Sequence, residues 1–221
     1  HDSRHVDHVT EKNSTRNVIR TAGLNKLRME DKRGEEHIKL STEYGGKTQL
    51  NLGHNVDARR EIRGEGAELR TDNHIAIRGG KGVFISADIQ PQAHGKMLSM
   101  QDALSELQTA QQLTESLRSA AEMAKAELAD LQTQKSLLSD AITELKQSAL
   151  LLSAPGGIAQ ATTKSLQLSA GENLIATSGK NTDFSVMKAF TVAAGERISL
   201  FAQKLGLKLL AAKGKVEIQS Q

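Results

Sequence analysis

Short segments of alternating apolar and polar residues recur every eight to eleven residues through the last third of the chain. They begin after Pro155-Gly156-Gly157, and Gly171, Gly179, Gly195 and Gly214 separate several of them. Period-two alternation bounded by glycine predicts short strands joined by tight turns. Near-constant spacing is typical of a stacked, quasi-one-dimensional β architecture in which each repeat contacts its neighbours.

The chain has few large side chains with which to fill a thick core. Only 2% of its 221 residues are aromatic, and none is Trp. A strand of about five residues cannot offset its own ordering entropy by burial, so it needs neighbours. Either one chain coils into a solenoid, or several identical chains supply the walls of a prism. Three chains around a thin aliphatic interior satisfy that second geometry.

Alternate residues of each repeat are predicted to point into this interior, because successive strand residues face opposite sides. The predicted trimer core consists of aliphatic side chains from residues 153–221, which are interpreted as a C-terminal β-prism tract. These core residues are Leu166, Leu168, Leu174, Val192, Ile198, Leu200, Leu207, Leu209, Val216 and Ile218.

A similar pattern of short alternating segments separated by glycine predicts a first β-prism tract over residues 25–96. Segments such as His37-Ile38-Lys39-Leu40 and Val83-Phe84-Ile85-Ser86 alternate in polarity, and glycine pairs such as Gly45-Gly46 stand between such segments. Residues 1–24 are interpreted as an N-terminal segment or linker. Because the chain begins with His1, it is expected to be a processed product or part of a longer protein.

Residues 97–152 are predicted to form a helical insertion between the two β tracts. Ala, Leu, Gln, Glu and Lys dominate, and no Gly or Pro occurs between Gly95 and Pro155. Apolar residues follow a heptad spacing, which calls for a partner helix. The pattern leaves open a hairpin that turns at residues 133–136 or a continuous rod of about 75 Å. The predicted seam comprises Leu107, Leu117, Leu128, Leu131, Leu138, Ile142 and Leu145.

Charge and composition exclude several classes of function. The net charge of +3 is the sum of +3 over residues 1–96, −4 over residues 97–150 and +4 over residues 151–221. No segment therefore has the strong positive charge that is typical of a nucleic-acid-binding protein. The absence of Cys excludes disulfides and thiolate chemistry. No stretch reaches the roughly 18 apolar residues that a spanning helix needs.

The sequence contains no constellation that predicts catalysis, a cofactor or a resident metal. Gly46-Lys47-Thr48 resembles the end of a phosphate loop, but Ser41 occupies the position of the first required glycine. Gly64-Glu65-Gly66 lacks the third glycine of a dinucleotide site. The protein is therefore predicted not to be an enzyme.

Two polar clusters also have plain structural interpretations. His1, His5 and His8 could bind a transition metal on a helix, but a mobile terminus is favoured. Basic residues between Arg59 and Arg78 could contact phosphates or acidic lipid heads. A solvated outer face is favoured for them, because Glu and Asp residues are interleaved with the arginines.

Several long segments together resemble one known family. They include residues 25–38 (NKLRMEDKRGEEHI), residues 64–72 (GEGAELRTD), residues 81–88 (KGVFISAD) and residues 150–159 (LLLSAPGGIA). Similar segments occur in the same order in the VgrG family, the spike proteins of the bacterial type VI secretion system. The resemblance runs from about Asn25 to the end of the chain.

This resemblance implies a secreted, trimeric, intertwined β-prism needle that caps a tube and is driven through a target membrane by sheath contraction. It implies a tip protein and secreted effector cargo as further partners. The family's N-terminal base is not in this sequence, so tube docking is not expected of it. No catalytic residue is carried over, because the family's spike portion has none.

The helical insertion has two interpretations under this resemblance. It could be a structural element that packs with itself or decorates the shaft, which its alanine-rich seam favours. Alternatively, it could dock cargo or an accessory chain, because a helical stripe can enter a groove on a partner. In that second case the protein is an adaptor module that recruits an effector or a tip protein.

Overall fold

The computed structural model describes residues 9–219, so His1, His5 and His8 lie outside the described residues. It divides the chain into two compact units, with the boundary between Ile77 and Arg78. Within residues 9–219, no group of three or more His, Asp or Glu residues is placed to hold a metal ion. The described helices include none that is both long and apolar enough to cross a lipid bilayer.

The first unit is a five-stranded antiparallel sheet whose strands pair in chain order. Its strands are β1 (Arg16–Arg20), β2 (Lys26–Glu30), β3 (His37–Ser41), β4 (Gln49–Val56) and β5 (Ile62–Arg70). β1 lies inside the segment interpreted as a linker. Val18 and Ile19 are consecutive apolar residues, so they break the apolar–polar alternation by which a strand is recognised in the sequence. The strand is instead held by residue-for-residue pairing with β2.

The two faces of this sheet are unusual for a single chain. Polar side chains such as Lys39, Gln49 and Asn51 are buried, whereas Ile38 and Leu40 on the opposite face are exposed. A sheet normally places its apolar face toward a core. In the first unit the apolar face is the one left uncovered.

Gly53 in β4 is fixed by a close backbone approach. Its φ is +91°, and an added Cβ would lie 2.5 Å from the carbonyl oxygen of Glu36. Gly66, its cross-strand partner in β5, also has a positive φ, +107°, but an added Cβ there would meet nothing within 4 Å. The pair therefore separates steric clash from backbone strain.

Gly53→Ala is expected to destabilise the sheet by roughly 3 to 5 kcal/mol, because strain and clash add. Gly66→Ala is expected to cost about 1 to 2 kcal/mol from strain alone. Thermal unfolding followed by circular dichroism measures both. Equal losses in the two variants would contradict the assigned clash.

The second unit contains two parallel strands joined by a helical crossover. Strand β6 (Val83–Ser86) pairs with β7 (Leu150–Ser153) residue for residue. Between them lie α1 (Gln101–Met123) and α2 (Leu131–Ser136), followed by a π-helical turn at Leu137–Ile142 and a 3-10 turn at Thr143–Leu145. A short 3-10 turn at Pro91–Ala93 precedes α1, and a four-residue helical turn at Tyr44–Lys47 joins β3 to β4 in the first unit.

The helical insertion is a hairpin, and the alternative of a continuous rod is wrong. The Gln111 side chain donates to the carbonyl oxygen of Gln134 at 3.0 Å, and Lys135 pairs with Glu115 at 3.2 Å. The chain turns over residues 124–130, so the predicted turn at residues 133–136 is also wrong. Those four residues belong to α2.

Local backbone geometry sets this turn. Lys125 has a φ of +55°, and the amide of Ala126 donates to the carbonyl of Ala121, which closes α1 without a glycine. Asp130 then caps α2, because its carboxylate accepts from the amide of Thr133 at 3.0 Å. Good helix-forming residues fill most of the turn, so composition does not reveal it.

A small apolar cluster fastens the hairpin to the paired strands. Met100, Ala103, Leu145 and Leu151 are buried together, and partly buried neighbours such as Phe84 pack against them. The cluster joins the start of α1, the end of the insertion and β7. The hairpin is therefore held at its base next to the β6–β7 pair.

Candidate assembly surfaces

The C-terminal tract has no internal partner for its backbone. Among the described residues, none from 158 to 219 forms a backbone–backbone hydrogen bond, and none lies in a helix or a paired strand. Every residue from Pro155 to Gln219 is exposed. A segment with unpaired backbone groups and uncovered apolar side chains is a template for pairing with other chains.

The tract bends at regular intervals. Bends begin at residues 163, 171, 179, 187, 195, 203 and 212, so the first six are eight residues apart. Straight segments of about six residues lie between them, in agreement with the spacing predicted from the sequence. Each of these bends contains a Lys or a Glu residue.

The bends give the predicted core residues a common position. In most segments the apolar side chains occupy the second and fourth places, which share one face of an extended strand. Their exposed fractions range from 55% for Val216 to 88% for Ile218. The residues placed this way are Leu166, Leu168, Leu174, Val192, Ile198, Leu200, Leu207, Leu209, Val216 and Ile218.

The opposite face of the tract lies against the hairpin. Ile175 and Phe201, at odd-numbered places in their segments, are less exposed than the predicted core residues, at 39% and 38%. Ile175 lines a groove together with Leu107 and Leu138. Arg197 also pairs with Glu127 in the hairpin turn at 2.5 Å. The hairpin thus covers part of one face and leaves the face with Leu200 open.

The predicted helix seam is not one continuous stripe. Leu131, Leu138 and Leu145 are buried, and Ile142 is partly buried against the apolar cluster. Leu107, Leu117 and Leu128 remain 37% to 47% exposed. The buried residues of α1 are small, which permits other segments of the same chain to approach the helix closely. They are Ala103, Thr114, Ala120 and Ala121.

The first unit presents a second uncovered apolar face that the predicted core set did not include. Register places its residues side by side across the five strands. The alternation of β3 and β4 in the sequence carries this signal. The exposed residues are Ile19, Met29, Ile38, Leu40, Leu50, Leu52 and Leu69.

These features define the class of the chain: a β-repeat protein with an inserted helical hairpin and extended apolar faces that it does not cover itself. Comparisons with known proteins agree with this class. Residues 16–121 match the model of the putative type VI secretion system Rhs element Vgr. Residues 137–221 match the model of an uncharacterized protein conserved in bacteria.

Curated relatives carry spike names. The chain is 31% identical over 213 residues to the type VI secretion system spike proteins VgrG2b and VgrG2a of Pseudomonas aeruginosa. The matches cover 89% of this chain but only 21% and 25% of those proteins. The chain therefore spans about a quarter or less of the length of these relatives.

Solved structures give a closer likeness. The VgrG spike from the type 6 secretion system is 57% identical with a TM-score of 0.90, over 94% of this chain and 78% of that one. A structure of the Tle1 effector bound to the VgrG spike shows the same identity and TM-score relative to this chain, and the match covers 64% of the chain in that structure. The chain belongs to the VgrG family of type VI secretion system spike proteins.

Proposed function

We propose that this chain forms a trimeric, intertwined β-prism shaft in the distal part of a type VI secretion spike and serves to pierce target membranes. The proposal is based on the C-terminal tract. Its residues 155–219 are all exposed, and none of the described residues 158–219 forms a backbone–backbone hydrogen bond within the chain. Apolar side chains at alternate places of each segment would meet those of identical chains around one axis.

Three copies of the chain would satisfy the unpaired backbone groups of the C-terminal tract and cover its apolar faces. Each segment of about six residues can pair with segments of two neighbouring chains, which satisfies its amide and carbonyl groups. The faces with Leu200 and its equivalents then line a narrow interior. Such an interior suits a chain with 2% aromatic residues.

The mechanism under this proposal is mechanical. Energy comes from contraction of the sheath, and the shaft contributes stiffness because every short strand is registered against two other chains. Residues 25–96 and 153–221 act as the two shaft tracts and residues 97–152 as the insertion, while the N-terminal segment, residues 1–24, adds β1 to the sheet of the first tract. No catalytic group, cofactor or nucleic acid takes part.

The proposed partners follow from the same role. A tip protein and a secreted effector would travel with the spike, and the secretion system would carry it out of the cell or into a target cell. Contact with the tube would use parts of the protein outside these residues. The structure of the Tle1 effector bound to a related VgrG spike supports cargo binding.

Sedimentation equilibrium over a dilution series tests the trimer. Three chains of 23.8 kDa give about 71 kDa, and this mass is expected to persist on dilution. Uncovered apolar faces of this extent favour association with other chains. A folded, soluble 23.8 kDa species at high dilution would refute the proposal.

A second candidate function is an adaptor that recruits an effector or tip protein through the shaft and hairpin. A groove of about 460 Å³ favours it, lined by apolar side chains that include Leu107, Leu137 and Ile142. Leu137 is 52% exposed beside this groove. Capture of a specific effector by the trimer, and loss of capture without the hairpin, would support this role.

A further inference from the structure

The polar face of the five-stranded sheet forms a strongly basic pocket of about 510 Å³. Of the sixteen described residues that line it, nine are Lys or Arg, and Asp57 is the only acidic one. Residues from all five strands contribute to it. A cavity of this size accommodates a group larger than a single inorganic phosphate ion.

Strand register brings like charges together at the centre of this pocket. Arg28 of β2 lies directly opposite Lys39 of β3, and Arg20 of β1 lies directly opposite Lys26 of β2. Directly opposed residues have Cβ atoms about 5 Å apart, and like charges there destabilise a sheet. Two such pairs in adjacent ladders are unfavourable unless an anion lies between them.

Acidic groups near the pocket are already engaged elsewhere. Among residues 9–219, the neighbouring carboxylates pair with other basic residues of the pocket lining or accept from backbone amides, and none forms an ion pair with Lys26, Arg28 or Lys39. The engaged pairs are Glu30 with Arg16, Glu68 with Arg63 and Asp72 with Arg70, at 2.7 to 2.8 Å, and Glu43 with Lys47 at 3.7 Å.

Lys39 is the strongest indication of an anion site. It is only 8% exposed, and its side chain has no hydrogen-bond or ion-pair partner among the described residues. The Arg28 Nε atom, a hydrogen-bond donor, is also buried without a partner among the described residues. Burial, together with the positive charges of Lys26, Lys47 and Arg28, lowers the pKa of Lys39 to about 8. A buried cation without a counter-charge is costly, and an anion relieves that cost.

We propose that this pocket binds a small multivalent oxyanion of the phosphate class, held by Lys39, Arg28 and Lys26. Planar guanidinium and ammonium donors both suit phosphate oxygens. The site lies on the sheet face opposite Ile38 and Leu40, and the described residues that line it belong to a single chain. The anion is either a free polyphosphate or the headgroup of an anionic phospholipid.

Titration calorimetry of the whole chain with inorganic phosphate, pyrophosphate and tripolyphosphate tests the site. Affinity is expected to rise with the charge of the anion. Lys39→Met is expected to weaken tripolyphosphate binding at least tenfold, as the loss of one buried charged contact requires. Arg33→Met removes an equal charge from an exposed turn of the same sheet and should change binding less than about twofold.

Thermal unfolding gives an independent readout. Tripolyphosphate is expected to raise the melting temperature of the wild type by about 3 °C or more. Without anion, Lys39→Met should melt above the wild type, because it removes an unpartnered buried charge. If that variant fails to fold, Lys26→Gln serves as the second variant and should also weaken binding.

Flotation with vesicles distinguishes the two sources of the anion. Binding to phosphatidic acid vesicles, whose phosphomonoester headgroup can carry two negative charges, assigns a lipid headgroup if Lys39→Met removes it, whereas binding of tripolyphosphate alone assigns a free polyphosphate. No binding heat with any of the three anions and no rise in melting temperature would overturn the site. Equal weakening by Lys39→Met and Arg33→Met would also overturn it, since that result indicates general charge attraction.

Discussion

Leu200→Asp is expected to abolish the trimer. Leu200 occupies the fourth place of its segment on the open face of the C-terminal tract and is 67% exposed in the single chain. In the proposed shaft, three carboxylates would meet in a narrow apolar interior, at a cost on the order of several kcal/mol per chain. Sedimentation equilibrium should therefore show loss of the threefold mass.

Ser199→Asp is the matched control for this substitution. Ser199 is the preceding residue, so its side chain points to the face that also carries Arg197 and Phe201 and that the hairpin covers in part, and Ser199 itself is exposed. This variant should retain the trimer and its melting temperature within about 2 °C. If Leu200→Asp kept the full trimer mass, the inward placement of Leu200 would be wrong. If both variants lost the trimer, the assignment of faces would fail.

The repeat could be predicted from the sequence because its signal is local. Alternation of side chains within six residues fixes which of them share a face, and residues such as Gly171 and Gly195 mark bends. Ile198 and Leu200, for example, stand two places apart in one segment and therefore lie on the same face. Neither the bends nor the alternation depends on distant parts of the chain.

Other features depend on contacts that alternation does not encode. β1 is an edge strand stabilised by β2, and the end of α1 depends on the positive φ of Lys125. The basic pocket was not predicted either, because Lys39 looks like the solvent-facing residue of an alternating strand. Arg60, Arg63 and Arg70, for which phosphate contact was the less favoured interpretation of the sequence, also line the pocket, and Arg63 and Arg70 pair with acidic residues.

Removal of the hairpin is expected to leave the trimeric shaft intact. Replacing Gln101–Leu145 by a short Gly/Ser loop keeps Ala149, whose carbonyl accepts from the amide of Val83 at 2.9 Å at the start of the β6–β7 pair. The β signal in circular dichroism and the threefold mass should persist. The melting temperature should fall, because Leu151 loses Leu145 and Ala103 as cover.

Leu145→Ala separates these effects. It removes the same core contact at a cost of about 2 to 4 kcal/mol while keeping the groove and α1. If the hairpin only decorates the shaft, both variants should assemble and deliver effector alike, with similar losses of stability. If the deletion variant is trimeric but no longer captures effector, whereas Leu145→Ala still does, the adaptor role is established. Loss of the β signal in the deletion variant would instead show that the insertion is required to build the shaft, because the β6–β7 pair then depends on the hairpin packed against its base.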